Sequence, residues 1–246
     1  MFNNVEVEKL AEIELFKLEI DRILIFVGEM YEIEAFRKLN FHHFEFITRN
    51  SKEGTVSHIF FVGDIGIELI AIENQNSSTL SCTKTNANFV LCRPWKREGF
   101  LPFGFILNYA NSQEFESRRR CYNTSKKRFF HSHSSLQVEF SPENLQKIKE
   151  PACYIVPQSL TSKNLLDSRS TIKQRVLFQK SKINKLTNIQ ITLNISDSLT
   201  NTVSLLSDLT LVNIELGNDP QLELEFDNNR RQFIAPFSSI TVKIYY

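Results

Sequence analysis

Arg93, Trp95, Lys96 and Arg97 fall within the short run RPWKREG. Cationic donors beside an indole plate suit an anionic or planar ligand, held by paired hydrogen bonds and stacking. The same residues also read as solvated loop charges around one packed Trp. His58, inside a strand-like run, has the type for a general base near a pKa of about 6.5, and equally for a hydrogen-bonded core side chain. His131-x-His133 has metal-ligand types without a third ligand close by. Cys82, Cys92, Cys121 and Cys153 are spaced 10, 29 and 32 residues apart, which forms no CxxC pattern and reads as four reduced thiols. GxSxG, a Ser-His-Asp order, GxGxxG and GxxxxGK[ST] are all absent, so nucleophilic, dinucleotide and P-loop chemistry are unsupported.

Charge narrows the partners further. Ser117 to His133 carries Arg118, Arg119, Arg120, Lys126, Lys127 and Arg128 with no acidic residue, which reads as a basic loop. The whole chain has 29 Lys plus Arg against 28 Asp plus Glu, a net charge of +1, and no nucleic-acid motif backs the loop. No nucleic-acid partner is expected. No apolar run approaches the roughly 18 residues that cross a bilayer, so no membrane partner is expected either. Met1 to Ile20 carries Glu6, Glu8, Glu12, Glu14 and Glu19 and does not read as a signal peptide, giving a cytoplasmic expectation. The 21 Phe among 246 residues imply an aromatic core.

The elements that would position such residues follow from apolar periodicity. IDRILIFV, from Ile20 to Val27, reads as a buried strand, and Met30 to Phe41 as a short amphipathic helix. Three strand-like runs follow, Phe44 to Arg49, Thr55 to Val62 and Ile65 to Glu73, with Gly63, Asp64 and Gly66 closing a hairpin between the last two. The order β-α-β-β-β returns near the C-terminus. There, Asn188 to Ile195 reads as a strand and Ser198 to Leu209 as a helix. Leu211 to Leu216, the alternating LELEF of Leu222 to Phe226, and Ile240 to Tyr246 read as strands. A repeated supersecondary unit of about 55 residues points to paired modules. The expected divisions are an N-terminal extension 1–19, a first module 20–75, a middle region 76–186 with added strands and the basic loop, and a second module 187–246.

IDRILIFV, the helix after it, KEGTVSHIFFVGDIGIELIAIEN, and the later RPWKREGFLPFGFIL together resemble glyoxalase-like proteins of the vicinal oxygen chelate superfamily. The resemblance implies an α+β fold in which paired βαβββ modules form curved sheets around a shared cleft, often holding a divalent metal. Such sites draw ligands from the first and fourth strand of each module. Carried over, those positions fall on Arg22 and Glu68 in the first module and on Asn188 and Lys243 in the second. A two-residue slip would bring in Gln190, and would turn Glu223 or Glu225 inward. Guanidinium and ammonium have no lone pair for a metal, so no metal and no cofactor are expected.

Two readings lead from this set, and a true metal-dependent lyase or dioxygenase is a third. In one, a metal-independent lyase or isomerase, or a non-catalytic binder, holds a small anionic organic ligand. Glu68 and His58 would then be the acid-base groups, and Arg22, Arg93, Trp95, Arg97, Asn188 and Lys243 the binding groups. In the other, Arg22 and Glu68 merely neutralise each other inside a filled cleft, and the chain is a protein-interaction or structural module. A homodimer is compatible with either.

Overall fold

The computed structural model describes residues 18–39, 44–50, 55–72, 101–110, 131–132, 139–167, 183–228, 232–235, 237–238 and 240–246. The first unit has the expected order: β1 (Leu18–Phe26), α1 (Met30–Lys38), β2 (Phe44–Asn50), β3 (Thr55–Val62) and β4 (Ile65–Ile72). β1 pairs in parallel with β4, and β4, β3 and β2 follow as antiparallel neighbours. The β3–β4 hairpin turns at Gly63, whose φ of 59° and close approach to the Asn184 carbonyl leave no room for a side chain. Arg37 and Lys38 in the last turn of α1 oppose its dipole favourably.

The same pairing recurs on the other side of β1. β5 (Phe103–Tyr109) runs antiparallel to β1, and β8 (Ala152–Ile155) is parallel to β5. β7 (Glu139–Phe140) and β6 (His131–Ser132) follow as antiparallel neighbours, with the short helix α2 (Pro142–Gln146) between β7 and β8. One eight-stranded sheet results, ordered β2-β3-β4-β1-β5-β8-β7-β6. A 3-10 turn (Gln158–Leu160) and the helix α3 (Ser162–Asp167) come next.

The α+β class with paired strand units therefore holds. The repeat of the first unit's pairing falls within 103–155, part of the stretch read from sequence as a middle region. The C-terminal stretch, expected to carry that repeat, pairs differently. It comprises β9 (Leu186–Leu193), α4 (Asn201–Asp208), β10 (Asn213–Leu216), β11 (Gln221–Phe226), β12 (Gln232–Ala235) and β13 (Thr241–Tyr245). Its sheet is ordered β10-β9-β11-β13-β12, so the first strand lies beside β10 and β11 and does not touch the last. β12 was not expected at all. Alternation of apolar and polar residues fixes which face of a strand is buried, but carries no information about which strand lies alongside.

One apolar cluster joins the two sheets. It runs from Ile23, Ile25, Phe60, Ile67 and Phe105 of the eight-stranded sheet, through Ile33 and Phe36 of α1 and Val203 and Leu206 of α4, to Ile191, Leu224, Phe226 and Val242 of the five-stranded sheet. Phe36 bridges the parts, with ring centroids 5.0 Å from Phe60 and 5.7 Å from Phe237. Three acidic side chains fasten the C-terminal unit by accepting its backbone N–H groups: Glu32 from Ser238 at 2.6 Å, Asp64 from Leu186 at 3.0 Å and Glu150 from Thr200 at 3.0 Å. Truncating Phe36 to Ala should cost about 3–5 kcal/mol, because it leaves a cavity between Phe60 of the eight-stranded sheet and Phe237 of the C-terminal unit. Denaturant titration followed by hydrogen exchange should show both sheets losing protection in a single transition of the variant.

Candidate functional site

The eight-stranded sheet has a back face, turned into the shared core, and a front face with its own apolar clusters. Leu24, Phe26, Ile70, Ile106, Ala152 and Tyr154 form one, and Phe46, Ile59 and Phe61 form another. Between them lies a group of charges. The pairing of β1 with β5 shifts between Ile20 and Arg22, so Asp21 is an extra residue in β1. Such a bulge re-aims side chains, and here the carboxylate of Asp21 lies beside the guanidinium of its neighbour.

Arg22 sits opposite Gly66 of β4, where a Cβ would come within 2.6 Å of the arginine Cγ. Its Nη1 is 3.3 Å from Glu68 Oε2, its Nε is 3.1 Å from Asp21 Oδ2, and its Nη2 donates to the Leu160 carbonyl at 3.0 Å. Ser57 Oγ donates to Glu68 Oε1. Asp21 accepts from the Ser162 N–H at 2.8 Å and from its hydroxyl at 3.0 Å. Burial pushes the Asp21 carboxyl above its ordinary value, opposed by the charge of Arg22 and the bonds from Ser162. Two carboxylates share one guanidinium.

Hydrogen-bonding capacity is left over in this group. Arg22 Nε, Glu68 Oε2 and, on β5, Asn108 Oδ1 are buried atoms without an aligned hydrogen bond. Arg22 Nε and Glu68 Oε2 still have ion-pair partners, at 3.1 and 3.3 Å, whereas Asn108 Oδ1 has none, and an unsatisfied buried polar group costs about 1–3 kcal/mol.

The expected site residues divide among three places. Arg22 and Glu68 come together as described. His58 does not join them: it pairs with Leu69 while its neighbour Ile59 pairs with Glu68, and alternation sends the imidazole to the back face. There its Nδ1 is 2.7 Å from Glu45 Oε1, and Arg37 donates to both Glu45 oxygens, at 2.7 and 2.5 Å. Burial raises the Glu45 pKa, but the bonds from His58 and Arg37 and the arginine charge outweigh it and hold the carboxyl at about 2. Arg37 is pushed up, by its bond to Glu45 first.

Asn188 and Lys243 lie on the polar face of the five-stranded sheet, away from the front face. Asn188 accepts from Asn213 at 2.8 Å, and Lys243 donates to Glu223 at 2.7 Å, where Tyr245 also donates at 3.0 Å. Glu223 faces away from the apolar Leu222 and Leu224, as the LELEF alternation implies. Arg93, Trp95 and Arg97 lie outside the described residues. So does His133, and of His131 only the backbone is described.

The positions carried over for a metal do not fit one. A guanidinium lies against the only carboxylate among the four, and Asn188 and Lys243 belong to the other sheet. Among the described residues no three His, Cys, Asp or Glu side chains form a metal-binding group. Sequence reasoning missed Asp21, Ser57, Asn108 and Ser162 on the front face and Arg37 and Glu45 on the back. The one available signal was the charged pair Asp21-Arg22 inside an otherwise apolar strand.

No protein-family model and no curated protein matches this chain. Among solved structures, a hypothetical protein from Staphylococcus aureus is similar, at 11% identity and a TM-score of 0.55, over 92% of this chain and 98% of that one. Methylmalonyl-CoA epimerase from Mycobacterium tuberculosis matches at 12% identity over 58% of this chain and 88% of that one, with a TM-score of 0.35. The Streptomyces coelicolor methylmalonyl-CoA epimerase matches at 11% identity, a TM-score of 0.32, over 56% and 94%. The first of these likenesses shows a shared fold.

The back-face cluster gives a pH signature. With its folded pKa near 2 against an ordinary 4.5, Glu45 adds stability above pH 4.5, and the gain is lost as pH falls towards 2. Glu45→Gln should lower stability at pH 7 by about 3 kcal/mol, because Arg37 and His58 lose a partly buried anion. Urea titrations from pH 7 to pH 2 should show the variant and the parent converging at the acid end.

Proposed function

We propose that the front face of the eight-stranded sheet binds a small organic molecule at Arg22, Glu68 and Asn108 without a divalent metal, as a glyoxalase-like member of the vicinal oxygen chelate superfamily. The observation that carries this reading is the buried ion pair of Arg22 with Glu68, together with the unpartnered Asn108 Oδ1 on the same face. A ligand at this place needs an acceptor for the Arg22 guanidinium and donors for Glu68 Oε2 and Asn108 Oδ1. A molecule with a carbonyl or carboxylate beside a hydroxyl or N–H group has both. Strand order supports the superfamily reading, since β1-β4-β3-β2 and β5-β8-β7-β6 are the paired modules that the resemblance implies.

Glu68 is the acid-base group in this reading. Ser57 and Arg22 hold its carboxylate, and Oε2 has a lone pair to take a proton from a bound hydroxyl or an acidic C–H. His58, on the opposite face, takes no part. An anionic ligand meets two carboxylates around Arg22, so it requires a further cation, and Arg93 and Arg97 are the residues proposed to supply it, with Trp95 as a stacking surface.

A second reading draws on a different observation. Leu165 packs on Phe46, Ile59 and Phe61, and the Leu160 carbonyl occupies Arg22. A face so filled would suit a non-catalytic structural or interaction module.

Calorimetry with a panel of 2-hydroxy and 2-oxo carboxylates, in the presence of EDTA, separates the two. At least one compound should bind the parent, and Arg22→Gln and Glu68→Gln should each weaken it about tenfold or more, a loss of about 1.4 kcal/mol or above. Binding abolished by EDTA, or unchanged in both variants, would refute the ligand site. A panel without a single hit would favour the filled face.

A further inference from the structure

We propose that Gln158–Asp167 is a self-inhibitory strap, whose Leu160 carbonyl and Ser162 N–H occupy on Arg22 and Asp21 the places of a ligand's own acceptor and donor. The inference rests on the front face being a ligand site, and adds what regulates that site and which chemistry it selects.

Three contacts lay the strap on the face. Leu160 O accepts from Arg22 Nη2 at 3.0 Å, Ser162 donates to Asp21 through both its N–H and its hydroxyl, and Leu165 covers Phe46, Ile59 and Phe61. All three join residues far apart in the chain, so each is a choice of tertiary structure and not a by-product of a local turn. Within the strap the hydrogen bonds are short-range ones, such as Leu160 N–H to the Pro157 carbonyl and Leu165 N–H to the Thr161 carbonyl, both at 2.9 Å. Among the described pairings none joins 158–167 to a strand of either sheet. β8, immediately before it, is laddered to β5 and β7 and fully buried. Leu160 is 40% exposed and Leu165 only partly buried, so the apolar hold on the strap is small beside that on the strands. What holds the strap is chiefly Ser162, buried and bonded to Asp21, so its departure would break that contact and none of the described strand ladders.

Its departure leaves a defined demand. Arg22 Nη2 loses an acceptor and the buried Asp21 loses two donors, and a buried charge without partners is costly. What replaces the strap must bring a carbonyl-type oxygen for the guanidinium and, close by, an N–H or O–H for Asp21. That is the acceptor and donor pair of an N-acyl amino acid or a small hydroxy acid. A bare apolar molecule would fail at both ends, and an anion with no donor would face Asp21 unpaired. The strap thus makes occupancy a competition, and the ligand's affinity is lowered by the fraction of time the strap is seated.

The experiment labels Arg22 chemically in the full chain. Phenylglyoxal modifies accessible guanidinium groups, and peptide mass mapping reports the rate at Arg22. Ser162→Pro removes both donors to Asp21 while placing proline at the first position of α3, where it is tolerated. Leu165→Glu puts a charge against Phe46, Ile59 and Phe61, and serves as an independent second variant. In each, Arg22 should be labelled at least tenfold faster than in the parent, with amides 158–167 losing exchange protection while β1 and β9 keep theirs. Equal labelling in parent and variants would overturn the proposal. So would loss of protection in β1 together with the strap in both variants, since the segment would then belong to the cooperative core. Faster labelling in variants that bind no N-acyl amino acid or hydroxy acid would uphold the strap and refute the ligand reading instead.

Discussion

A guanidinium buried in a sheet face can persist only if several elements each deliver a compensating group, and Arg22 imposes that condition on most of the eight-stranded sheet. β1 supplies Asp21 through its bulge, β4 supplies Glu68 and the empty space above Gly66, and β3 supplies the serine that holds Glu68. The turn after β8 supplies a carbonyl. Removing any one partner leaves charge uncompensated in a low-dielectric region, where such losses reach about 3–5 kcal/mol. Placement of four separate chain segments is thus coupled through one side chain.

The same sheet carries a second ionic cluster on its other face, and the two are kept apart by the period of a β-strand. Ser57 and His58 are adjacent in β3, yet one holds Glu68 on the front and the other meets Glu45 on the back. The back cluster joins α1 to the edge of the sheet through Arg37 and contributes to stability. On the front, two carboxylates share Arg22, and Asn108 Oδ1 is buried on the same face without a hydrogen-bond partner; on the back, His58 Nε2 is likewise left over.

The C-terminal sheet is integral to this arrangement, because its inner face and the back of the eight-stranded sheet are parts of a single core. Carboxylates accepting backbone N–H groups at Glu32, Asp64 and Glu150 add direction to that apolar contact. Hydrogen bonds to charged groups are worth about 1.5–3 kcal/mol each and, unlike apolar burial, specify one register. With its apolar face committed inward, this sheet presents Asn188, Glu223 and Lys243 on the other side, apart from Arg22.

Local pattern was enough for much of this. The strands and helix of the first unit, the hairpin at Gly63, the buried phenylalanines and the outward carboxylates of LELEF follow from apolar period and turn chemistry, which act over a few residues. The resemblance of IDRILIFV and IGIELIAI to glyoxalase-like strands is by itself sufficient to pair Arg22 with Glu68. Which strands became neighbours was settled only in three dimensions: the repeat of the first unit's pairing lies in 103–155, within the stretch read from sequence as a middle region with added strands. The C-terminal strands kept the expected faces and took other partners, because pairing is decided by the competition among all available edges. Asp21 and Ser162 met across 141 residues, and His58 turned from the site by a single position of alternation. Residue type and spacing state what a side chain can do, while the register of the sheet decides what it is given to act upon.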